Sequence, residues 1–186
     1  MLVYTDAAGN GGSGAVLLDG SVSQWFGCQC SGMASLLRKR ATQINAFELF
    51  TVLLTLDVWP TLLSGRRVAW LIDNSVALWC VRNGTSSASD LAALAHAVWT
   101  RARALNVDVF AFWVPSKLNL ADAPSRGSSP VLGTEISFSV NVHSVAVAAL
   151  AQTSDTASRA IAENRVARGP GLTLTSLLFW WCLVLV

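Results

Sequence analysis

The rhythm of apolar and polar positions changes several times along the chain, and each change marks an element. Residues 2–6 (Leu, Val, Tyr, Thr, Asp) form an apolar run that stops on a carboxylate and enters the glycine-rich stretch 7–14. Ala15-Val16-Leu17-Leu18 reads as a second strand, Asp19-Gly20 as a two-residue hairpin turn and residues 21–26 as a third strand. These predict three antiparallel strands in a meander. Residues 28–40 have no period and end in the basic triplet Arg38-Lys39-Arg40. From 41 to 59 the pattern is helical and almost wholly apolar, and Pro60 and Gly65 mark its end. Residues 66–72 predict a fourth strand without alternation, as for one buried on both faces, and it too stops on a carboxylate, Asp73.

Asn74-Ser75 opens a short helix through Val81, closed by Asn83-Gly84. Ser87-Ala88-Ser89-Asp90 has the form of a capping box, with Leu91, Leu94, Ala95, Val98, Ala102 and Leu105 following at helical spacing. Residues 107–114 predict a fifth strand, 115–119 a loop and 120–123 a short helical turn. Helix 41–59 lies between strands one and four, which makes a βαβ crossover. Those two strands should therefore run parallel, with Asp6 and Asp73 at one edge of the sheet, where ligands sit in open α/β sheets.

Beyond residue 127 the pattern changes. Gly127-Ser128-Ser129-Pro130 reads as a linker, and Ile136, Phe138, Val140 and Val142 alternate with polar residues as one strand. Residues 144–168 read as helical. Residues 172–186 carry no charge; they number 15, or 18 counted from Gly169, against about 20 for a spanning helix. They read as a non-homologous end, with a membrane anchor as the alternative. The predicted organisation is a domain at 1–127, a linker or extension at 128–168 and an apolar tail at 169–186.

Composition removes several function classes. Residues 1–127 hold ten Lys/Arg and eight Asp/Glu, so nucleic-acid binding cannot rest on bulk charge. It would need the local clusters Arg38-Lys39-Arg40, Arg66-Arg67, and Arg101 with Arg103. The four cysteines form no CxxC pair, and His96 and His143 have no partner at a zinc or triad spacing. The glycines at 9–14 are not followed by Gly-Lys-Ser/Thr, which excludes a phosphate-binding loop of that kind. The first residues lead straight into a strand, so the expected setting is reducing, cytoplasmic or nuclear.

The carboxylates carry the chemistry. A carboxylate ending an apolar strand costs several kcal/mol to bury without a positive partner. Between Arg40 and Asp57, Glu48 is the only ionisable residue, and Ile44 and Val52, one turn away, are apolar. Gln43, Asn45 and Thr55 are expected to form the wet stripe of that helix, leaving Glu48 facing inward. Asp122 sits between two alanines, which allows close approach. Asp6, Glu48, Asp73 and Asp122 thus read as a set around divalent metal.

Four carboxylates on these elements, in this order, resemble the Asp-Glu-Asp-Asp site of the ribonuclease H fold. The run Trp113-Val114-Pro115-Ser116-Lys117-Leu118-Asn119-Leu120-Ala121-Asp122-Ala123-Pro124-Ser125-Arg126 resembles, more specifically, the end of the ribonuclease H domain in retroelement reverse transcriptases of the gypsy and DIRS types. Tyr4-Thr5-Asp6-Ala7 and Ile72-Asp73-Asn74 match that group as well. The resemblance covers residues 2–127. It implies an α/β fold with a five-stranded mixed sheet, three antiparallel strands then two parallel, flanked by helices. It implies a hydrolase: an endonuclease that cuts the RNA strand of RNA–DNA hybrids with two Mg²⁺ ions, Mn²⁺ substituting, held by Asp6, Glu48, Asp73 and Asp122. Gly9, Asn10, Gly11, Asn74, Lys117 and Asn119 would contact the nucleic acid. A retrotransposon polyprotein fragment, with a reverse-transcriptase portion encoded elsewhere, is the expected context. The loop 115–119 lacks the histidine that cellular members carry, and Asn83-Gly84 replaces their basic extra helix. A domain that keeps the fold and only binds nucleic acid is the alternative.

Overall fold

The computed structural model describes residues 1–151. The expected meander is present as β1 (Leu2–Ala7), β2 (Gly12–Asp19) and β3 (Val22–Gln29), but it turns at Gly20 and Ser21, one residue later than expected, because Asp19 still pairs with Val22. The apolar helix is α1 (Ile44–Val58), followed by a single turn, α2 (Pro60–Leu63), with proline at its first position. β4 (Arg67–Ile72) returns parallel to β1, as the crossover requires. Then come α3 (Ser75–Asn83), α4 (Ser89–Ala104), β5 (Asp108–Trp113), paired parallel with β4, and the short α5 (Asp122–Ser125).

The sheet is mixed, in the order β5-β4-β1-β2-β3-β6, and has six strands rather than five. The sixth, β6 (Thr134–Glu135), lies against the free edge of β3 at Gln24 and Trp25. The alternation at 136–142 does not make a strand. Ile136, Phe138 and Val140 press against the core from an irregular segment, with Phe138 edge-on to Phe26 at 5.1 Å between ring centres. Val142 already belongs to α6 (Val142–Leu150), because the Asn141 side chain accepts the Ser144 N–H and caps it. Alternation here reports one-sided burial, which a strand and an extended strap share.

The main core lies between one sheet face and helices α1, α3, α4 and α6. Residues 46–56 of α1 are all buried, so the helix has no wet stripe there: Thr55 is 0% exposed. Thr51 and Thr55 meet burial by donating to the carbonyls one turn back, Phe47 O at 2.8 Å and Thr51 O at 2.7 Å. α1 starts at Ile44 rather than 41 because Arg40 and Gln43 are tied elsewhere. Gln43 Nε2 donates to Arg38 O, and the Arg40 guanidinium pairs with Asp90. Asp90 therefore does not close a capping box; α4 begins without a side-chain cap, and the Asp90 carboxylate also accepts Arg38 N at 3.1 Å. That pair takes Arg40 out of the basic cluster.

The opposite sheet face carries a smaller cluster, Val16, Trp25 and Ala121 with Tyr4, Leu18 and Leu120 around it. α5 reaches this face by direct backbone contact. A Cβ on Gly12 would lie 2.0 Å from Ser125 O, one on Gly14 2.4 Å from Ser125 N, and one on Gly27 2.5 Å from Pro124 O. The glycine-rich strand is thus a seat for α5. No helix among the described residues is long and apolar enough to cross a membrane. The tail at 169–186 and the expected helix beyond 151 lie outside the described residues.

Candidate metal centre

Parallel pairing of β1 with β4 matches Thr5 to Ile72, so the next residues, Asp6 and Asp73, emerge side by side at one sheet edge. α1 crosses behind that edge and brings Glu48 between them. One ligand oxygen from each of Asp6, Glu48 and Asp73 lies within 4.8 Å of the others. Asp6 is 4% exposed and Glu48 3%, while Asp73 is half-buried. Asp73 is held from two sides. Trp113 Nε1 donates to its main-chain carbonyl at 3.1 Å, and the adjacent Asn74 caps α3 through Val76 N and Ala77 N. The Asn74 amide also donates to Asn45 Oδ1 on α1 at 3.0 Å.

Three acidic groups this close repel one another. Burial, partly offset by a hydrogen bond from Ser125, pushes Asp6 up to about 6, and the charges of Asp73 and Asp122 add to the rise. Burial, then the charges of Asp6 and Asp73, push Glu48 up to about 9. Glu48 Oε2 and Asp73 Oδ1 are buried without any hydrogen-bond partner. Buried carboxylates with unpartnered oxygens, in a group whose ligand atoms lie within 4.8 Å of one another, are a hard-donor set that fits a divalent cation. The arrangement can therefore hold a metal.

Asp122, the first residue of α5, lies outside this close group but lines the same cleft of about 350 Å³. Its Oδ1 accepts both Nε and Nη2 of Arg126, at 2.9 and 2.7 Å. Arg126, whose guanidinium is held charged by Asp122, lines the cleft too. Ser125 is 1% exposed; its hydroxyl donates to Asp6 Oδ2 and lies 3.0 Å from the Asp122 carbonyl.

The residues expected at nucleic acid divide into two groups. Gly9, Asn10 and Lys117 are exposed, and Asn74 is half-buried. Gly9 and Asn74 line the cleft. Gly11 is buried at φ 88°, where a Cβ would sit 2.7 Å from the Ser31 backbone, so it serves the turn. Asn119 is also buried, with Nδ2 donating to Thr5 O at 3.0 Å and Oδ1 accepting Ala121 N at 3.2 Å. Within the glycine-rich stretch, Gly12 and Gly14 face α5, Gly11 faces Ser31 and Gly9 stays open at the cleft. Ser125 and Arg126 carry no sequence signal beyond the motif that they close. Gly12 and Gly14, two apart on a strand, with Gly27 opposite Gly14, were the signal that a backbone crosses there.

Two solved structures resemble the chain. One is the N-terminal RNase H domain of a Mycobacterium tuberculosis protein, solved fused to maltose-binding protein: 20% identity, TM-score 0.49, 68% of this chain and 91% of that one covered. The other is RNase H1 from the halophilic archaeon Halobacterium salinarum: 20% identity, TM-score 0.45, 66% and 92% covered. No protein-family profile and no curated protein sequence matches the chain.

Proposed function

We propose that this chain is a metal-dependent endonuclease that hydrolyses the RNA strand of RNA–DNA hybrids. The observation that carries the reading is the meeting of Asp6, Glu48 and Asp73, from two parallel strands and the helix between them, in a cleft that Asp122 also lines. The run from Trp113 to Arg126 adds the resemblance to retroelement enzymes, and with it the reading as part of a retrotransposon polyprotein acting beside a reverse transcriptase.

Asp6, Glu48 and Asp73 would hold the cations, with Asp122 completing the set once its carboxylate turns from Arg126. Two Mg²⁺, or Mn²⁺ in their place, would supply Lewis-acid stabilisation of charge at a scissile phosphate and an activated water. The chain's own residues do the rest. Glu48 and Asp6 would release their protons as cations occupy the site. Arg126 would offer its exposed guanidinium to a phosphate. Gly9, Asn10, Asn74 and Lys117 would border the nucleic acid, and the 2′-hydroxyl in the wide minor groove would mark the strand to be cut. Residues 1–127 hold all the assigned chemistry, while β6 extends the sheet and α6 adds to the core.

The test is cleavage of a labelled RNA–DNA hybrid by the full chain in Mg²⁺ and in Mn²⁺. Cutting of the RNA strand alone, lost in Asp73→Asn, is expected. Absence of cutting in both metals would overturn the proposal, and hybrid binding without turnover would select a nucleic-acid-binding domain instead.

A further inference from the structure

We propose that Ser125 is a positioning residue: its hydroxyl fixes the Asp6 carboxylate for cation binding, in a register set by the glycine seat beneath α5. This rests on the reading of Asp6, Glu48 and Asp73 as a metal site. Ser125 is uncharged, buried and bonded to Asp6 Oδ2. Its place relative to β1 is not left to a flexible side chain. Gly12, Gly14 and Gly27 let the backbone of residues 124 and 125 touch β2 and β3, and Ser125 N donates to Ala121 O at 3.0 Å. The same segment ties β1 a second time, through Asn119 Nδ2 to the carbonyl of Thr5, the residue before Asp6. Asp6 is thus bracketed by two bonds from one short segment, 119–125.

The two outer partners differ in kind. Ser125 orients Asp6 without neutralising it, so the negative charge remains for a cation. Arg126 neutralises Asp122 and competes with a cation for it. Removing the first should weaken cation binding; removing the second should not. Partners that orient metal ligands typically contribute about 10–100-fold in affinity.

The experiment is calorimetric titration of Mn²⁺ into the metal-free full chain, without nucleic acid, for wild type, Ser125→Ala, Ser125→Cys and Arg126→Gln. Thermal unfolding in EDTA checks that each is folded. The expected result is about ten-fold or greater loss of affinity in Ser125→Ala and Ser125→Cys, with Arg126→Gln equal to or tighter than wild type. Cysteine keeps the bulk with only a weak donor, so it carries the test if the alanine variant fails to fold. Wild-type affinity in either folded Ser125 variant would overturn the inference while leaving the metal site standing. A wild-type chain that takes up no Mn²⁺ would overturn the metal site itself, and the inference with it.

Discussion

Replacing Glu48 by Gln should make the metal-free protein more stable at neutral pH while removing its response to metal. The reason lies in the burial of that carboxyl. Its ordinary value is 4.5, and burial with two acidic neighbours raises it to about 9. Below pH 4.5 both folded and unfolded chains hold the proton, and the group costs nothing. Above that, the unfolded chain ionises while the folded one keeps its proton, so stability falls as pH rises, until the folded group ionises near 9. Asp6 acts in the same direction over a narrower window, from 3.8 to about 6. Each pH unit inside the window is worth about 1.4 kcal/mol for one such group, so from pH 5 to pH 7 Glu48 removes about 3 kcal/mol. Against a total stability of roughly 5–15 kcal/mol this is large, and it corresponds to a Tm difference of roughly 6–12 °C. Gln carries no proton to lose, so its profile should be flatter by that amount. The assay is thermal unfolding in EDTA from pH 5 to 9, repeated with Mg²⁺. Wild type should lose stability steadily with rising pH in EDTA and regain it with Mg²⁺. The Gln variant should start higher at pH 7 and gain little from the metal. A flat wild-type profile in EDTA, or a Gln profile as steep as wild type, would refute the reasoning.

Other perturbations follow from single contacts. Gly14→Ala puts a Cβ 2.4 Å from Ser125 N and should displace α5, lowering Mn²⁺ affinity as well as Tm; unchanged affinity would show that the seat does not set the site. Asp90→Ala leaves Arg40 without its carboxylate and Arg38 N–H without its acceptor, and should cost about 2–4 kcal/mol in urea unfolding. Phe138→Ala removes the edge contact with Phe26 and should destabilise by about 1–3 kcal/mol, measured by urea unfolding; no change would mean that this ring pair adds nothing to the core. Asp122→Asn should leave the metal-free unfolding free energy within about 1 kcal/mol of wild type, because its partner Arg126 is 62% exposed, yet abolish cleavage of hybrid.

Much of this protein follows from local rules. Apolar runs that stop on Asp6 and Asp73, with one apolar helix between them, are enough to place both carboxylates at one edge, because a right-handed crossover makes the flanking strands parallel. Asn83-Gly84 ends α3 as expected, with Gly84 at φ 67°. Glu48 stood out because a single ionisable group in an apolar helix has few places to point.

Other features depend on long-range contact and have no local signature. Asp90 and Arg40 are 50 residues apart, and their pairing undid the expected cap of α4 and the start of α1. β6 exists only because β3 presents a free edge. The glycines of β2 have the composition of a turn; only the approach of α5 shows that they make room for the backbone of Pro124 and Ser125. Local pattern limits which carboxylates can meet, since strand ends and helix faces are set within a few residues. The tertiary structure decided how each is held, Asp6 by a neutral hydroxyl and Asp122 by a cation, because those partners arrive on a backbone packed from elsewhere in the chain.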